Sequence, residues 1–337
     1  MQLQERINAF AQLGEVIRAI SEDEFGDLSR RIQGKNNWFT EEDVKAALEG
    51  ISLFLDKESL KNWLKPYHLK DQVSPKKVGI LMAGNIPAVG FHDLLCVLIS
   101  GHEAHVKLSS SDSVSIPWLV GKLLTIEPRF EGKVFFDEML KGKDAYIATG
   151  SDNSARYFDY YFGKYPSIIR KNRTSVAVLR GDESREDFSA LGKDVFQYFG
   201  LGCRNVSKIF VPNEKLVLDF LDAIKDFENI AGHHKYFNNY EYNKSIYLVN
   251  KEEHFDNGFL LMKESVDLVS PIGVLFFEVY EGDESLAKRL DGLKEKIQCI
   301  VSKSAWYPGS FSFGEAQCPS VTDYADNVDT IAFLSTL

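Results

Sequence analysis

The chain has 337 residues, of which 44% are hydrophobic and 26% charged, ordinary values for a globular protein with a sizeable core. Its length predicts one large domain or two smaller ones. The net charge of −10 disfavours general binding to nucleic acid or to an anionic membrane, and it leaves room for a local basic pocket.

The sequence indicates neither export nor membrane insertion. Its start, MQLQERINAFAQLGEVIRAI, is an amphipathic helix pattern with charges and no uninterrupted apolar core. No apolar run approaches the ~20 residues that a membrane helix needs. The four cysteines lack the spacing of a metal site or of a secreted disulfide framework; they are Cys96, Cys203, Cys299 and Cys318. We therefore expect reduced thiols, a cytoplasmic location and no bound metal.

The hydrophobic pattern of the sequence changes at about residue 70. Residues 1 to about 70 have the charged, periodic pattern of helices. Short apolar segments then alternate with helical ones; the strand-like segments are KKVGILM, EAHVK, DAYIAT, TSVAVL and SKIFVP. This alternation predicts an α/β fold with a parallel sheet covered on both faces. The aromatic stretch HHKYFNNYEYNKSIYLV is interpreted as either a packed insertion or a pocket wall.

Three polar motifs follow predicted strands. Thr149-Gly150-Ser151 opens a helix, where free backbone N–H groups suit a phosphate; plain helix capping is the alternative. Lys107, followed by Ser109 and Ser110, offers a cation and hydroxyls for a ribose or a phosphate, and a surface lysine in a polar turn is the alternative.

The third motif is GNIPAVG, in which Asn85 follows a strand. A side-chain amide held by such a turn can donate to a developing oxyanion. A simple turn asparagine is the alternative.

Cys203 stands at the end of a glycine-rich turn, in YFGLGCRNVSKIFVP. A nucleophilic thiol needs access for a substrate and surroundings that favour the thiolate. The alternative is a buried cysteine that packs as a small hydrophobic residue, which is the interpretation we adopt for Cys96 and Cys299. The flanking glycines and the polar Arg204 and Asn205 favour the nucleophile at Cys203.

Taken in their order, these motifs resemble those of the aldehyde dehydrogenase superfamily and, within it, of the LuxC-type fatty acyl-CoA reductases of bacteria. The matching segments are Gly84-Asn85-Ile86-Pro87, Lys107-Leu108-Ser109-Ser110, Thr149-Gly150-Ser151 and Gly200-Leu201-Gly202-Cys203. The C-terminal YADNVDTIAFL and the aromatic stretch resemble the reductase subfamily in particular. The resemblance covers roughly residues 70 to 337.

The resemblance implies a Rossmann-like cofactor domain and an interleaved α/β catalytic domain. The implied boundaries are a helical region at 1–70, the cofactor domain at 71–170, the catalytic domain at 171–308 and a segment returning to the cofactor domain at 309–337. Cys203 would be the acylated nucleophile, and Asn85 with the Cys203 N–H would form the oxyanion hole. The implied cofactor-binding residues are Lys107, Ser109, Ser110, Gly150 and Ser151.

Departures from the superfamily pattern bear on the reaction and the cofactor. The stretch SIIRKNR lacks the glutamate that activates water in aldehyde-oxidising members, so the resemblance implies reduction of an acyl group. Ser110 stands where a ribose-binding glutamate is usual, which removes repulsion of a 2′-phosphate and favours NADPH over the alternative, NADH. The glutamate that steadies the nicotinamide ribose has no counterpart in register in SPIGVLFFEV.

The sequence therefore predicts a reductase that converts an acyl-CoA, fatty by the resemblance, to the aldehyde with NADPH. Two rival functions are an acyltransferase or thioesterase that uses the same Cys203, and a non-catalytic partner subunit that retains the fold. The expected partners are acyl-CoA, an acyl-activating or acyl-transferring protein, and a second copy of the chain.

Overall fold

A computed structural model describes residues 1–69, 71, 74–150 and 152–337, without the side chains of 152–155 and 159. The chain forms two compact units. The first contains residues 1–172 and 319–337, and the second contains residues 173–318.

The first unit begins with helices, as the charged periodic pattern predicts. Ser21, Thr40 and Asp56 each cap the helix that follows by accepting a hydrogen bond from a backbone N–H of its first turn. The apolar faces of these helices, including Phe10 and Leu13, share one core with the first sheet. The helices are α1 (Leu3–Arg18), α2 (Glu22–Lys35), α3 (Glu41–Phe54) and α4 (Lys57–Leu64).

The sheet of the first unit is parallel and five-stranded, in the order β3-β2-β1-β4-β5. Its strands are β1 (Lys77–Leu81), β2 (Glu103–Lys107), β3 (Val134–Phe136), β4 (Ala145–Thr149) and β5 (Ser167–Arg170). The connecting helices are α5 (Phe91–Ile99), α6 (Ser115–Ile126) and α7 (Asp152–Phe162). The order is that of a Rossmann half, in which ligands bind outside the carboxyl ends of the strands.

The second unit has a seven-stranded sheet in the order β12-β11-β6-β7-β10-β9-β8, parallel except for the pair β8 and β9. Its strands are β6 (Thr174–Val178), β7 (Val206–Val211), β8 (Phe255–Asp256), β9 (Leu261–Glu264), β10 (Val274–Val279), β11 (Ile297–Ser302) and β12 (Phe311–Ser312). Its helices are α8 (Arg185–Phe196), α9 (Lys215–Ala223), α10 (His234–Asn250) and α11 (Gly282–Asp291). The chain then returns to the first unit and ends in α12 (Thr330–Ser335).

The predicted α/β class is confirmed, and the strands pair into two sheets, one in each unit. The aromatic stretch is α10, and its Tyr236, Tyr240 and Tyr247 are buried in the packing of the second unit. Among the helices that the structure describes, none combines the length and the apolar character needed to cross a bilayer.

Candidate active site

Strained backbone leads into the Cys203 turn. After α8 ends at Phe196, Tyr198, Phe199 and Gly200 have φ values of 52°, 56° and 79°. Residues with a side chain rarely occupy this left-handed region, and such strain persists where surrounding contacts impose it, often at functional sites. The positive φ of Gly200 explains why the motif Gly200-Leu201-Gly202-Cys203 begins with glycine.

Asn205, the last residue of this turn, fixes it through its side chain. Its side chain is 2% exposed, its Oδ1 accepts from the Gly202 N–H at 2.8 Å, and its own N–H donates to the Gly202 carbonyl at 3.0 Å. The Nδ2 group donates to the carbonyls at the end of α8, those of Asp194 at 3.1 Å and Gln197 at 2.7 Å among them. A side chain at Gly202 would meet Asn205 Oδ1 at 2.9 Å, so the position requires glycine. The turn that carries Cys203 is thus bound to the helix that precedes it.

Asp194, in the last turn of α8, fixes a second segment. Its carboxylate accepts from the backbone N–H groups of Gly314 at 2.6 Å and Ala316 at 3.0 Å. Burial raises the pKa of Asp194 to about 6, although these two hydrogen bonds act in the opposite direction. Arg204 holds the same segment, because its Nε donates to the Ala316 carbonyl at 2.5 Å.

The four cysteines differ in exposure as the sequence predicted for three of them: Cys203 is exposed, and Cys96 and Cys299 are buried. Cys318 is also exposed. Burial raises the pKa of the Cys96 thiol well above its ordinary value. Burial also raises the pKa of Cys318, and the Asp194 carboxylate adds to the shift. Both effects disfavour the thiolate that a nucleophile requires.

An aromatic cluster adjoins the strained segment. The Phe199 ring lies 4.2 Å from the His233 ring and 6.2 Å from that of Tyr236, centroid to centroid. The start of α10 therefore packs beside the backbone segment that precedes Cys203.

In the first unit, Asn85 is exposed in the bend after β1. A Cβ at the preceding Gly84 would lie 2.6 Å from the Ser109 Cβ, so glycine is needed for these two loops to pack together. Asp112, which is 6% exposed, joins the same loops: its Oδ2 accepts from the Ala88 N–H at 2.7 Å and its Oδ1 from the Ser115 N–H at 3.1 Å.

The predicted cofactor residues that the structure describes stand at the carboxyl ends of β2 and β4, the two strands that flank β1 in the sheet. Lys107 ends β2, is exposed, and makes no ion pair with any described residue. Ser110 is exposed, and the Ser109 Oγ accepts from a backbone N–H of its own turn at 3.2 Å. Gly150 follows β4, and its N–H donates to the Arg170 carbonyl at 3.4 Å. Ser151 lies outside the described residues.

The two segments that depart from the superfamily pattern are strands. SIIR of SIIRKNR is β5, where the buried Arg170 pairs with Asp93 at 2.6 Å and donates to Thr330 at 3.0 Å. The carboxylate in SPIGVLFFEV, Glu278 on β10, pairs with Lys208 and Arg289. Glu278 is thus engaged by two cations, and no residue is assigned to the nicotinamide ribose.

Sequence reasoning missed Asp112, Asp194 and the role of Asn205. Each interacts mainly with backbone groups, and a partner of this kind leaves no residue-type signature. The signals that do exist are local: Asp112 precedes α6 at capping distance, and Asn205 is a polar residue just before the apolar β7.

No family model matches the sequence. A long-chain acyl-protein thioester reductase of Aliivibrio fischeri is 22% identical over 190 residues, which cover 51% of this chain and 40% of that protein. The match thus spans less than half of the relative's length. Together with the fold, it confirms the resemblance to this type of reductase.

Solved structures agree on the fold. An oxidoreductase from Marinobacter aquaeolei superposes with a TM-score of 0.66 at 12% identity, covering 90% of this chain and 74% of that one. An NAD⁺ complex of an aldehyde dehydrogenase from Bacillus cereus gives 0.62 at 13% identity, over 90% and 72% of the two chains. A Mycobacterium tuberculosis aldehyde dehydrogenase complexed with NAD⁺ gives 0.64 at 14%, over 90% and 73%. The chain has the aldehyde dehydrogenase fold.

Proposed function

We propose that this chain, with its aldehyde dehydrogenase fold, is an oxidoreductase that reduces an acyl thioester to the aldehyde through a thioester on Cys203. The observation that carries the proposal is the exposed Cys203 on a turn that Asn205 fixes to α8. A thiol held in this way is accessible and pre-positioned, which is what covalent catalysis requires.

The first half of the reaction is acyl transfer to Cys203. The Sγ thiolate attacks the thioester carbon, the bond from that carbon to the sulfur of the donor breaks, and the released thiolate takes up a proton. Donors aimed at the carbonyl oxygen stabilise the negative charge that develops there. We assign this role to the Cys203 N–H and the Asn85 side chain, following the resemblance.

The residues at the carboxyl edge of the first sheet fit a nicotinamide dinucleotide. The strand order is that of dinucleotide-binding sheets, and Lys107 places an exposed ammonium group there without a carboxylate partner among the described residues. When bound, the cofactor supplies the hydride that reduces the acyl group. The aldehyde then leaves, and the Cys203 thiolate is restored.

Two features support reduction with NADPH. The stretch SIIRKNR contains no carboxylate to activate water, and its Arg170 is engaged by Asp93, so hydrolysis of the thioester has no base in this segment. Ser110 offers an exposed hydroxyl near Lys107 in the chain, and a cation with a hydroxyl suits a 2′-phosphate. The complete reaction is acyl-CoA + NADPH + H⁺ → aldehyde + CoA + NADP⁺. An acyl-protein thioester, the substrate in the name of the Aliivibrio fischeri relative, is the alternative donor.

The proposal is tested by mixing the protein with acyl-CoAs of graded chain length while nicotinamide oxidation and CoA release are followed together. We expect the two to occur in equal amounts for the preferred chain length. CoA release without oxidation of NADPH would favour an acyltransferase or thioesterase. If neither an acyl-CoA nor an acylated carrier protein transfers its acyl group to Cys203, the chain is a non-catalytic partner.

A further inference from the structure

Two buried hydrogen-bond donors near Cys203 have no acceptor within the described part of the chain. The Nη2 of Arg204 and the Nε2 of Gln317 have no hydrogen-bond partner among the described residues, although both atoms are buried. Folded proteins satisfy most buried polar groups, because an unpaired donor destabilises the fold. A pair of them beside a candidate nucleophile therefore calls for an explanation.

Both donors are attached to segments that the structure fixes. Arg204 follows Cys203 directly, its Nε is held by the Ala316 carbonyl at 2.5 Å, and its guanidinium lies 5.1 Å from the Phe311 ring centroid. The Gln317 amide lies over the residue before Cys203: its nitrogen and oxygen are 3.6 and 3.7 Å from the position of a Cβ at Gly202. The Asp194 carboxylate holds the segment leading to Gln317. Arg204 thus follows Cys203 in the chain, and the Gln317 amide lies beside Gly202, the residue that precedes Cys203.

We infer that Arg204 and Gln317 form an oxygen-binding pair that positions an oxygen atom of the acyl donor beside Cys203. One donor is cationic and both are N–H groups, so the chemistry that they recognise is a carbonyl oxygen gaining negative charge or a carboxylate oxygen. The inference rests on the proposed acylation of Cys203 and deepens it, because it names residues that orient the donor.

The first test compares two alkylating agents of similar size, anionic iodoacetate and neutral iodoacetamide, at Cys203. We expect Gln317→Met, which keeps the side-chain length and removes the donor, to lower the ratio of iodoacetate to iodoacetamide rates about tenfold, which is about 1.4 kcal/mol. The melting temperature should stay the same or rise, because an unpaired buried donor is lost. The control is Trp306→Phe, which removes another unpaired buried donor of the same unit, one that packs against Tyr307, and it should leave the ratio unchanged.

Every outcome decides the inference. An unchanged ratio in a folded Gln317→Met overturns it, and so does a lower melting temperature, because the amide would then have a structural partner. A lowered ratio with undiminished stability supports it. A merely structural glutamine would change stability without changing the ratio.

Two acyl-CoA substrates distinguish whether the pair binds the thioester carbonyl oxygen or a terminal carboxylate oxygen. Acylation of Cys203 by butyryl-CoA and by succinyl-CoA is followed by mass in the unchanged protein and in Gln317→Met. Slower acylation by both assigns the pair to the thioester oxygen, and slower acylation by succinyl-CoA alone assigns it to a terminal carboxylate. If the unchanged protein accepts no thioester at all, the proposed function fails, while the alkylation ratio still decides the pair.

Discussion

Replacing Asn205 with alanine should release the turn that carries Cys203. The Nδ2 group has two protons, so it satisfies at one time two of the three carbonyls within its reach, those of Asp194, Val195 and Gln197. The Oδ1 atom accepts one further hydrogen bond, from the Gly202 N–H. Three hydrogen bonds at about 1 kcal/mol each give a loss of about 3 kcal/mol in the local stability of the turn.

Hydrogen exchange measured by mass spectrometry reports this loss directly. Peptides spanning residues 197–206 should exchange about 10²-fold faster in Asn205→Ala, since about 1.4 kcal/mol corresponds to a factor of ten. Peptides that contain β2, in the first unit, should be unaffected. The matched control is Asn250→Ala, which changes an exposed asparagine with a single side-chain contact, to Glu252, and should alter stability by less than about 0.5 kcal/mol. Equal exchange in the two variants would refute the role given to Asn205.

Three further predictions concern the other polar groups. Because burial raises the pKa of Asp194 in the folded state to about 6, the folded protein binds this proton more tightly than the unfolded chain does. The free energy of unfolding, measured by denaturant titration relative to Asp194→Ala, should therefore rise by about 1.4 kcal/mol between about pH 7.5 and about pH 5; a fall over this range would show that the carboxylate is stabilised in the fold. Asn85→Ala should fold normally and lose about 10²-fold in rate, and an effect confined to cofactor affinity would exclude the oxyanion role. Ser110→Glu should weaken binding of NADPH about tenfold more than binding of NADH in titrations of both cofactors, whereas equal effects would remove the basis for the NADPH preference.

The sequence predicts those parts of the fold that depend on local pattern. Alternating apolar and periodic segments identify β1, β2, β4, β6 and β7. Gly101, with φ of 91°, follows the end of α5, where glycine is common because it adopts the left-handed conformation readily. The division into two sheets was not predictable in this way. It depends on pairing between distant segments, such as β6 with β11, where Val176 faces Ile300.

The candidate active site, like the fold, is only partly predictable from the sequence. Exposure of Cys203 follows from its glycine neighbours, which are visible in the sequence. The contacts that hold it are not visible, because Asn205 and Asp194 bind backbone groups brought near by folding. Strand β5 was missed for a related reason: its Arg170 reads as a surface residue, yet Asp93, distant in sequence, pairs with it in the interior.

The central claim is that Cys203 carries the acyl group during the reaction, and intact-mass and peptide mass spectrometry after incubation with an acyl thioester test it most directly. We expect one acyl adduct, located on Cys203 and absent from Cys96, Cys299 and Cys318. When NADPH is added, the acyl group should leave Cys203 as the aldehyde. The variant Cys203→Ala should fold normally and form no adduct. Full reductase activity in Cys203→Ala, or an adduct on another cysteine that NADPH discharges, would contradict the account.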